Sequence, residues 1–274
     1  MAHVMLLMKS IGPAAFIMAA GIYIASVALS SVRWRMLVPG EFTFWRLFSL
    51  YMIGAFFSSF LPGVVGGDAV RAYYLNKDAR KIGLTLASVF MDRYLGFVSL
   101  MLIGITAYPF SLDVYGTSPY KWLMPGIFLA FIAGSVVFFG LKIGRRFGFM
   151  SDVYEYFSEL KDSRSKMIKV VLLSSVIQVM NFVSVLVLAS RTGESIPMMM
   201  LAVFLPIIIT ITSMPISISG LGVREVSFVV LLGLIGIRPE TATSISLAWF
   251  ISIFLGSLPG LIFYFFRNSN RQPQ

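Results

Sequence analysis

Long apolar segments are the feature of this sequence that most restricts its fold. A helix needs about 20 mostly apolar residues to cross the roughly 30 Å hydrocarbon core of a bilayer. The chain is 58% hydrophobic, and only 12% of its 274 residues are charged, against about 25% in soluble domains. The apolar segments lie at about 11–32, 42–61, 82–108, 122–141, 167–190, 198–218, 220–237 and 241–266. The sequence therefore predicts an all-α, polytopic integral membrane protein.

Composition argues against several function classes. The chain has no cysteine, which excludes disulfides and cysteine-based metal sites. Its one histidine, His3, stands near the N-terminus without other ligand residues, and the phosphate-loop pattern of nucleotide hydrolases is absent. The net charge of +10 reflects topology and contact with anionic headgroups, because the sequence contains no basic soluble module. We expect no metal, no cofactor and no nucleic-acid partner.

Basic residues between the apolar segments predict the topology. If every basic cluster lies in the cytoplasm, segment 42–61 begins and ends inside, and the pair 198–218 and 220–237 begins and ends outside. Each is then a broken or re-entrant hairpin. The alternative places two full spans within 42–81 and leaves one basic cluster outside. The ordinary spans are 11–32, 82–108, 122–141, 167–190 and 241–266. The cytoplasmic clusters are Arg33 and Arg35, then Arg71, Lys77, Arg80 and Lys81, then the bases of 142–169, and finally Arg267 and Arg271.

The polar connection at 142–169 contains the stretch SDVYEYFSELKD. Its mixed apolar and charged faces predict an amphipathic helix on the inner membrane surface. A solvated helical connector is the alternative.

Two windows interrupt the apolar segments with proline and glycine: FLPGVVGGDAVR at 60–71 and PISISGLGVR at 215–224. In both, proline is followed five residues later by glycine, eight later by valine and nine later by arginine. Broken backbone persists at membrane depth only where protein or a water-filled cavity surrounds it. Two similar breaks that enter from opposite sides are typical of inverted-repeat transporters. The sequence therefore predicts two broken helical hairpins in an inverted-repeat arrangement.

Each window is predicted to end one helix, turn and begin the next. In the first, Pro62 ends a helix, Gly63, Gly66 and Gly67 form the turn, and Asp68 to Arg71 begin the next helix. In the second, Pro215 ends a helix, Ser217, Ser219, Gly220 and Gly222 form the turn, and Arg224 and Glu225 lie in the first turn of the next helix.

Acids next to arginines mark the same windows and one further segment, SVFMDRYLGF. Asp68 and Arg71 are three apart and can touch on one helix face. Asp92 and Arg93 are adjacent, as are Arg224 and Glu225, so these side chains diverge and must find other partners. One closure pairs Asp92 or Arg93 with the charges of the windows. An ionisable group at membrane depth is costly and therefore suggests function. The structural alternatives are a helix cap for Asp68, an internal clamp for Asp92–Arg93, and a positive-inside anchor for Arg71.

These residues carry a family resemblance. FLPGVVGGDAVRAYYL, VFMDRYLGF and PISISGLGVREVSFVVLLGLIGI, with the earlier SVRWRMLV, resemble the hallmark segments of the lysylphosphatidylglycerol synthase transmembrane, flippase-like family over about 20–266. The resemblance implies a domain that moves a modified anionic lipid between leaflets. Since the chain ends at RNSNRQPQ, we expect one domain, 1–274, without the family's C-terminal lysyltransferase domain. The resemblance also implies one further N-terminal span before SVRWRMLV, and this sequence starts after it, either because the natural protein is short or because the sequence is trimmed.

Four functions are weighed on this basis. The first is a lipid flippase for an anionic or aminoacylated phospholipid, driven by a gradient or the membrane potential. The second moves polyprenyl-phosphate-linked sugars. The third is an intramembrane transferase with Asp68 or Glu225 as general base, and the fourth is a passive assembly subunit. We favour the first, expect no enzymatic activity, and place the protein in a prokaryotic inner membrane. Its partner candidates are the lipid, a second copy of the chain, and a separate synthase or glycosyltransferase.

The predicted substrate-binding set combines both windows with the intervening acid–base pair. Arg71 and Arg224, with the glycine-turn amides, are expected to hold a phosphate, because helix N-termini and guanidinium groups bind anions. The carboxylates are expected to meet an amino headgroup. The set is Gly66, Gly67, Asp68, Arg71, Asp92, Arg93, Ser217, Ser219, Gly220, Gly222, Arg224 and Glu225.

Overall fold

The computed structural model describes residues 2–38, 40–61, 65–79, 82–141, 148–214, 217 and 220–269. Within these ranges every regular element is helical. The helices are α1 (Ala2–Leu37), α2 (Phe44–Ser58), α3 (Val65–Ala79), α4 (Ile82–Ala107), α5 (Leu112–Tyr115), α6 (Leu123–Gly140), α7 (Gly148–Asp162), α8 (Arg164–Ala189), α9 (Met198–Ser213), α10 (Val223–Gly233), α11 (Pro239–Ser257) and α12 (Pro259–Ser269). Two 3₁₀ turns, Tyr108–Ser111 and Pro119–Trp122, flank α5.

Five helical segments are long and apolar enough to cross a membrane, and each coincides with a predicted ordinary span. They confirm a polytopic all-α membrane protein. The segments are Val4–Leu37, Ile82–Tyr115, Pro119–Gly140, Arg164–Ala189 and Pro239–Arg267. The last one is interrupted, because α12 begins at Pro259 after the end of α11.

The first helix starts earlier than the predicted limit of residue 11. α1 begins at Ala2 and bends at Gly12, whose φ of 72° lies in the left-handed region. Pro13 follows directly, and proline lacks the amide hydrogen that would continue the helical ladder. The bend therefore has a local cause in the Gly–Pro pair.

Two pairs of short helices stand where the sequence predicts broken elements. α2 ends at Ser58 and α3 begins at Val65, while α9 ends at Ser213 and α10 begins at Val223. A 15-residue α-helix such as α2 is about 22 Å long at roughly 1.5 Å per residue, which is too short for a full span. The breaks are therefore real features of the fold, and the opposite entry of the two elements stays a prediction.

The helix α7 packs against the fold with one face. Val153 and Tyr156 are buried in a core cluster that also contains Ala87 of α4. The helix is amphipathic, as the sequence predicts, but it is not a fully solvated connector. Its placement on the membrane surface stays a prediction.

Candidate functional site

The start of α3 differs from the predicted turn. Because α3 begins at Val65, Gly66 and Gly67 are helical, and the prediction that they form the linking turn is wrong. Pro62 and Gly63 lie outside the described residues.

The reason for glycine at position 67 is the close approach of two helix backbones. A Cβ atom on Gly67 would overlap the Ser58 hydroxyl oxygen and the Gly54 carbonyl oxygen of α2. Small residues at helix interfaces in membranes allow this packing. Gly67 therefore allows the first turn of α3, which contains Asp68, to pack directly against α2.

Asp68 links the first window to the acid–base pair on α4. Its Oδ2 atom accepts a hydrogen bond of 2.7 Å from Arg93 Nε, and its Oδ1 atom lies 3.5 Å from Arg71 Nη2. The predicted contact between Asp68 and Arg71 on one helix face is present. Asp68 therefore joins two arginines on different helices.

Asp92 is the centre of a buried charged cluster. Its side chain is 0% exposed and accepts hydrogen bonds from Arg33 Nε at 2.8 Å, Arg71 Nη1 at 3.1 Å and Tyr51 Oη at 3.0 Å. Arg33 also donates from Nη1 to the Ser174 hydroxyl of α8 at 2.9 Å. This carboxylate therefore connects α1, α2 and α3 to α4, and through Arg33 to α8. The predicted pairing with a window is present: Asp92 bonds to Arg71 and Arg93 bonds to Asp68, both in the first window.

Arg71 is almost completely buried, with 1% of its surface exposed. Its Cζ atom lies 4.4 Å from the ring centre of Trp34 and 4.3 Å from that of Tyr51, which is the range of cation–π contact. Only Nη1 donates a hydrogen bond within the described structure; Nε and Nη2 are buried without a hydrogen-bond partner there. Buried guanidinium donors are normally satisfied, so this one is incomplete without a further acceptor.

The second window folds largely as the sequence predicts. Gly220 and Gly222 have φ angles of 75° and 84°, a region that L-residues with a side chain rarely adopt. The helix α10 begins directly after them, and Glu225 in its first turn accepts a hydrogen bond from the Gly222 amide. Pro215 and Ser219 lie outside the described residues.

Arg224 and Glu225 pair with each other, which corrects the expectation that adjacent side chains must find separate partners. Arg224 Nη2 lies 3.2 Å from Glu225 Oε1, and both groups also bond to the Ser246 hydroxyl of α11. The backward reach of Glu225 to Gly222 turns its carboxylate toward its neighbour. The Arg224 guanidinium also lies 4.8 Å from the ring centre of Phe250.

Residues of both windows line a cavity of about 800 Å³. Its lining includes Gly67, Asp68, Arg71 and Arg93 on one side of the charged cluster and Arg224 of the second window. A volume of roughly 300–1,000 Å³ is usual for sites that hold small molecules. The cavity is therefore large enough for a lipid headgroup.

The remaining predicted residues stand outside the lining. Asp92 and Glu225 lie behind it, bonded to lining arginines. Ser217, Gly220 and Gly222 are not in the lining, and neither is Gly66. Ser219 lies outside the described residues.

Sequence reasoning missed several lining residues. Arg33 was counted only as a flanking charge, yet it lies inside α1 and is 4% exposed. Gln178 and Asn181 also line the cavity, from α8. They are three residues apart in the middle of a membrane-length helix and therefore share a face, which is a signal that could have found them. Within the described ranges, no three potential metal ligands come together.

The fold and the site define a class of protein: a helical membrane protein with an arginine-lined cavity bordered by two broken elements. The family model for the lysylphosphatidylglycerol synthase TM region matches residues 1–260, and the chain belongs to this family. The resemblance predicted from the sequence is thereby confirmed. Comparisons with curated proteins and with solved structures give no match.

Proposed function

We propose that the protein is a lipid flippase that moves an anionic or aminoacylated phospholipid, of the lysyl-phosphatidylglycerol kind, between membrane leaflets. The headgroup crosses through the cavity while the acyl chains stay in the bilayer. Membership of the family and the five membrane-length segments support a membrane role of this type. The cavity has the size of a headgroup and carries charged and polar side chains in its lining.

An excess of positive charge among the arginines of the cavity lining carries the proposal. Arg33, Arg71, Arg93 and Arg224 line the cavity, and three carboxylates pair with them. One guanidinium charge is therefore uncompensated. Two further donors of Arg71, Nε and Nη2, make no hydrogen bond in the described structure, although Nη2 lies 3.5 Å from Asp68 Oδ1. A phosphate is the group of opposite charge that matches guanidinium donors in geometry, and it is the part that all phospholipids share. The carboxylates are Asp68, Asp92 and Glu225.

In the proposed mechanism the two broken elements enter the membrane from opposite sides. In this proposal α2 and α3 enter from the cytoplasm, and α9 and α10 enter from outside. The turn of each pair would then reach the middle of the bilayer, which is the arrangement known from inverted-repeat transporters. Flipping would run down a lipid gradient or use the membrane potential, and a separate synthase would supply the lipid.

We propose transport without catalysis, because the carboxylates that could serve as general base are already held by arginines. Asp68 bonds to Arg93, and Glu225 bonds to Arg224 and to the Gly222 amide. A general base must be free to accept a proton from the substrate. This arrangement favours a binding role for both residues.

Reconstitution tests the proposal. The chain is placed in liposomes with a trace of acyl-labelled fluorescent phosphatidylglycerol or lysyl-phosphatidylglycerol, and dithionite bleaches the label in the outer leaflet. We expect exchange of at least one of these lipids above the rate in protein-free vesicles. Arg71→Gln should abolish it, while Arg35→Gln on the exposed side of α1 should not. Equal rates in vesicles with and without protein, for both lipids, would refute the proposed function.

A further inference from the structure

The carboxylates in and around the cavity are already paired with arginines, which bears on whether a cationic headgroup can bind. Asp68 is the one acid in the described lining, and its two oxygens already face Arg93 at 2.7 Å and Arg71 at 3.5 Å. Asp92 and Glu225 lie behind the lining and are each bonded to arginine. A lysyl or other ammonium headgroup would therefore find no unoccupied carboxylate among these residues.

A cationic headgroup would also face arginines of the same charge. Arg33 and Arg71 are buried and Arg93 is partly exposed; all three line the cavity and are paired with Asp92 or Asp68, and the pairing described above leaves one positive charge in excess. Like charges brought together in a desolvated site repel strongly, and a buried ammonium group needs an acceptor. The site fits the phosphate of a lipid better than an amine.

Uncharged polar groups line the α8 side of the same cavity. Gln178 donates a hydrogen bond from Nε2 to the Gly96 carbonyl at 3.2 Å, and Asn181 Nδ2 lies 3.4 Å from Gln178 Oε1. These bonds use one N–H of each amide and the Gln178 oxygen. The Asn181 oxygen and the second N–H of each amide are thus donors and acceptors suited to hydroxyl groups. Aromatic rings of Tyr94 and Trp249 also belong to the lining.

We infer that the cavity takes a lipid with a single phosphodiester charge and an uncharged, hydroxyl-bearing headgroup. The phosphate lies at Arg71, and the hydroxyl groups meet the Gln178–Asn181 amide pair. This inference rests on the proposed flippase function and narrows its substrate class away from aminoacylated lipids. Two sources share this chemistry: a glycerophospholipid with a polyol headgroup, and a polyprenyl phosphate that carries a sugar.

The first test compares flipping rates of three acyl-labelled lipids in the reconstituted chain. Phosphatidylglycerol has the inferred chemistry, lysyl-phosphatidylglycerol adds positive charges, and phosphatidylserine keeps the net charge but carries an ammonium and a carboxylate. We expect phosphatidylglycerol to exchange at least about tenfold faster than the other two, because a site without the acceptor for a buried charge discriminates strongly. Lysyl-phosphatidylglycerol or phosphatidylserine exchanging at an equal or greater rate overturns this inference and leaves the flippase function standing. No exchange of any lipid above protein-free vesicles overturns the function itself.

A competition arm separates the two sources. Dihexanoyl phosphatidylglycerol and a short-chain isoprenyl phosphoryl hexose are added at equal concentration to vesicles with labelled phosphatidylglycerol. Stronger slowing by the first assigns the site to glycerophospholipids, and stronger slowing by the second assigns it to sugar-linked polyprenyl phosphates. Slowing by neither contradicts the inferred headgroup chemistry.

Variants at the amide pair provide the second test. Asn181→Asp and Gln178→Glu each place a carboxylate where the cavity lacks one, and Asn181→Ala is the matched uncharged control. We expect either acidic variant to shift the ratio of lysyl-phosphatidylglycerol to phosphatidylglycerol rates by about tenfold toward the lysyl lipid, as a new charge pair in a desolvated site does. Two variants are used so that a folding failure of one leaves the test intact. An unchanged ratio in the folded acidic variants refutes the placement of the headgroup.

Discussion

Replacement of Asp92 by asparagine should be among the most destabilising conservative changes in this protein. The carboxylate is 0% exposed and receives hydrogen bonds from Arg33, Arg71 and Tyr51. Asp92→Asn keeps the shape of the side chain and removes its charge. Both arginines are themselves buried, so the variant leaves two guanidinium groups facing each other without their shared counter-ion.

The magnitude follows from these distances. At an effective dielectric constant of about 20, two unit charges about 3 Å apart attract by roughly 5–6 kcal/mol before desolvation is counted. Removal of one partner from a buried ion pair costs about 3–5 kcal/mol in measured cases. We expect the free energy of unfolding of Asp92→Asn to fall by about 3–5 kcal/mol. At about 2–4 °C for each kcal/mol, Tm should fall by roughly 10 °C.

Thermal unfolding in detergent, followed by tryptophan fluorescence, measures the effect. Asp113→Asn is the matched control, because Asp113 is exposed in the short helix α5 and its variant should keep the parent Tm. The double variant Arg33→Gln with Asp92→Asn should lose less than the sum of the single variants, with a coupling free energy of about 1–3 kcal/mol. A Tm for Asp92→Asn within about 2 °C of the parent, or strictly additive losses, would refute the buried-cluster argument.

Three further substitutions test other contacts. Gly67→Ala should lower Tm and flipping because its methyl group meets the α2 backbone, whereas Gly126→Ala, with open space around it, should leave both unchanged in the same assays. Tyr51→Phe removes a hydrogen bond to a buried carboxylate and should cost about 1.5–3 kcal/mol in unfolding free energy, while exposed Tyr73→Phe should cost nothing measurable. Arg71→Lys keeps the charge but loses the planar contact with two rings and the forked set of donors. The rate of lipid exchange should therefore fall at least about tenfold in the reconstituted vesicles, and an unchanged rate would contradict the assigned geometry.

The membrane-length helices and the breaks between the short helices could be predicted from the sequence, because each depends on residues that are close together in the chain. Apolar length identifies the membrane-length helices, and the proline–glycine windows mark the ends of α2 and α9. The contact of Asp68 with Arg71 follows from helical spacing alone.

Contacts between distant segments could not be predicted in the same way. Asp92, the partner of Arg33, is 59 residues further along the chain. The positive-inside rule considers only charges that flank a span, so it interprets Arg33 as a cytoplasmic topology signal. The helical position of Gly67 depends on where α2 packs, which local turn preferences do not contain. The pairing of Arg224 with Glu225 depends on Ser246 and on the reach of a long side chain, which the divergence of adjacent positions did not anticipate.

The ion pairs form two groups that do not meet across the cavity. One group ties α1, α3 and α4 together through Asp92 and Asp68, and the other lies within α10 through Arg224 and Glu225. In the part of the chain that the structure describes, no ion pair joins one group to the other. Movement of one set of helices relative to the other would therefore leave the ion pairs of each group intact.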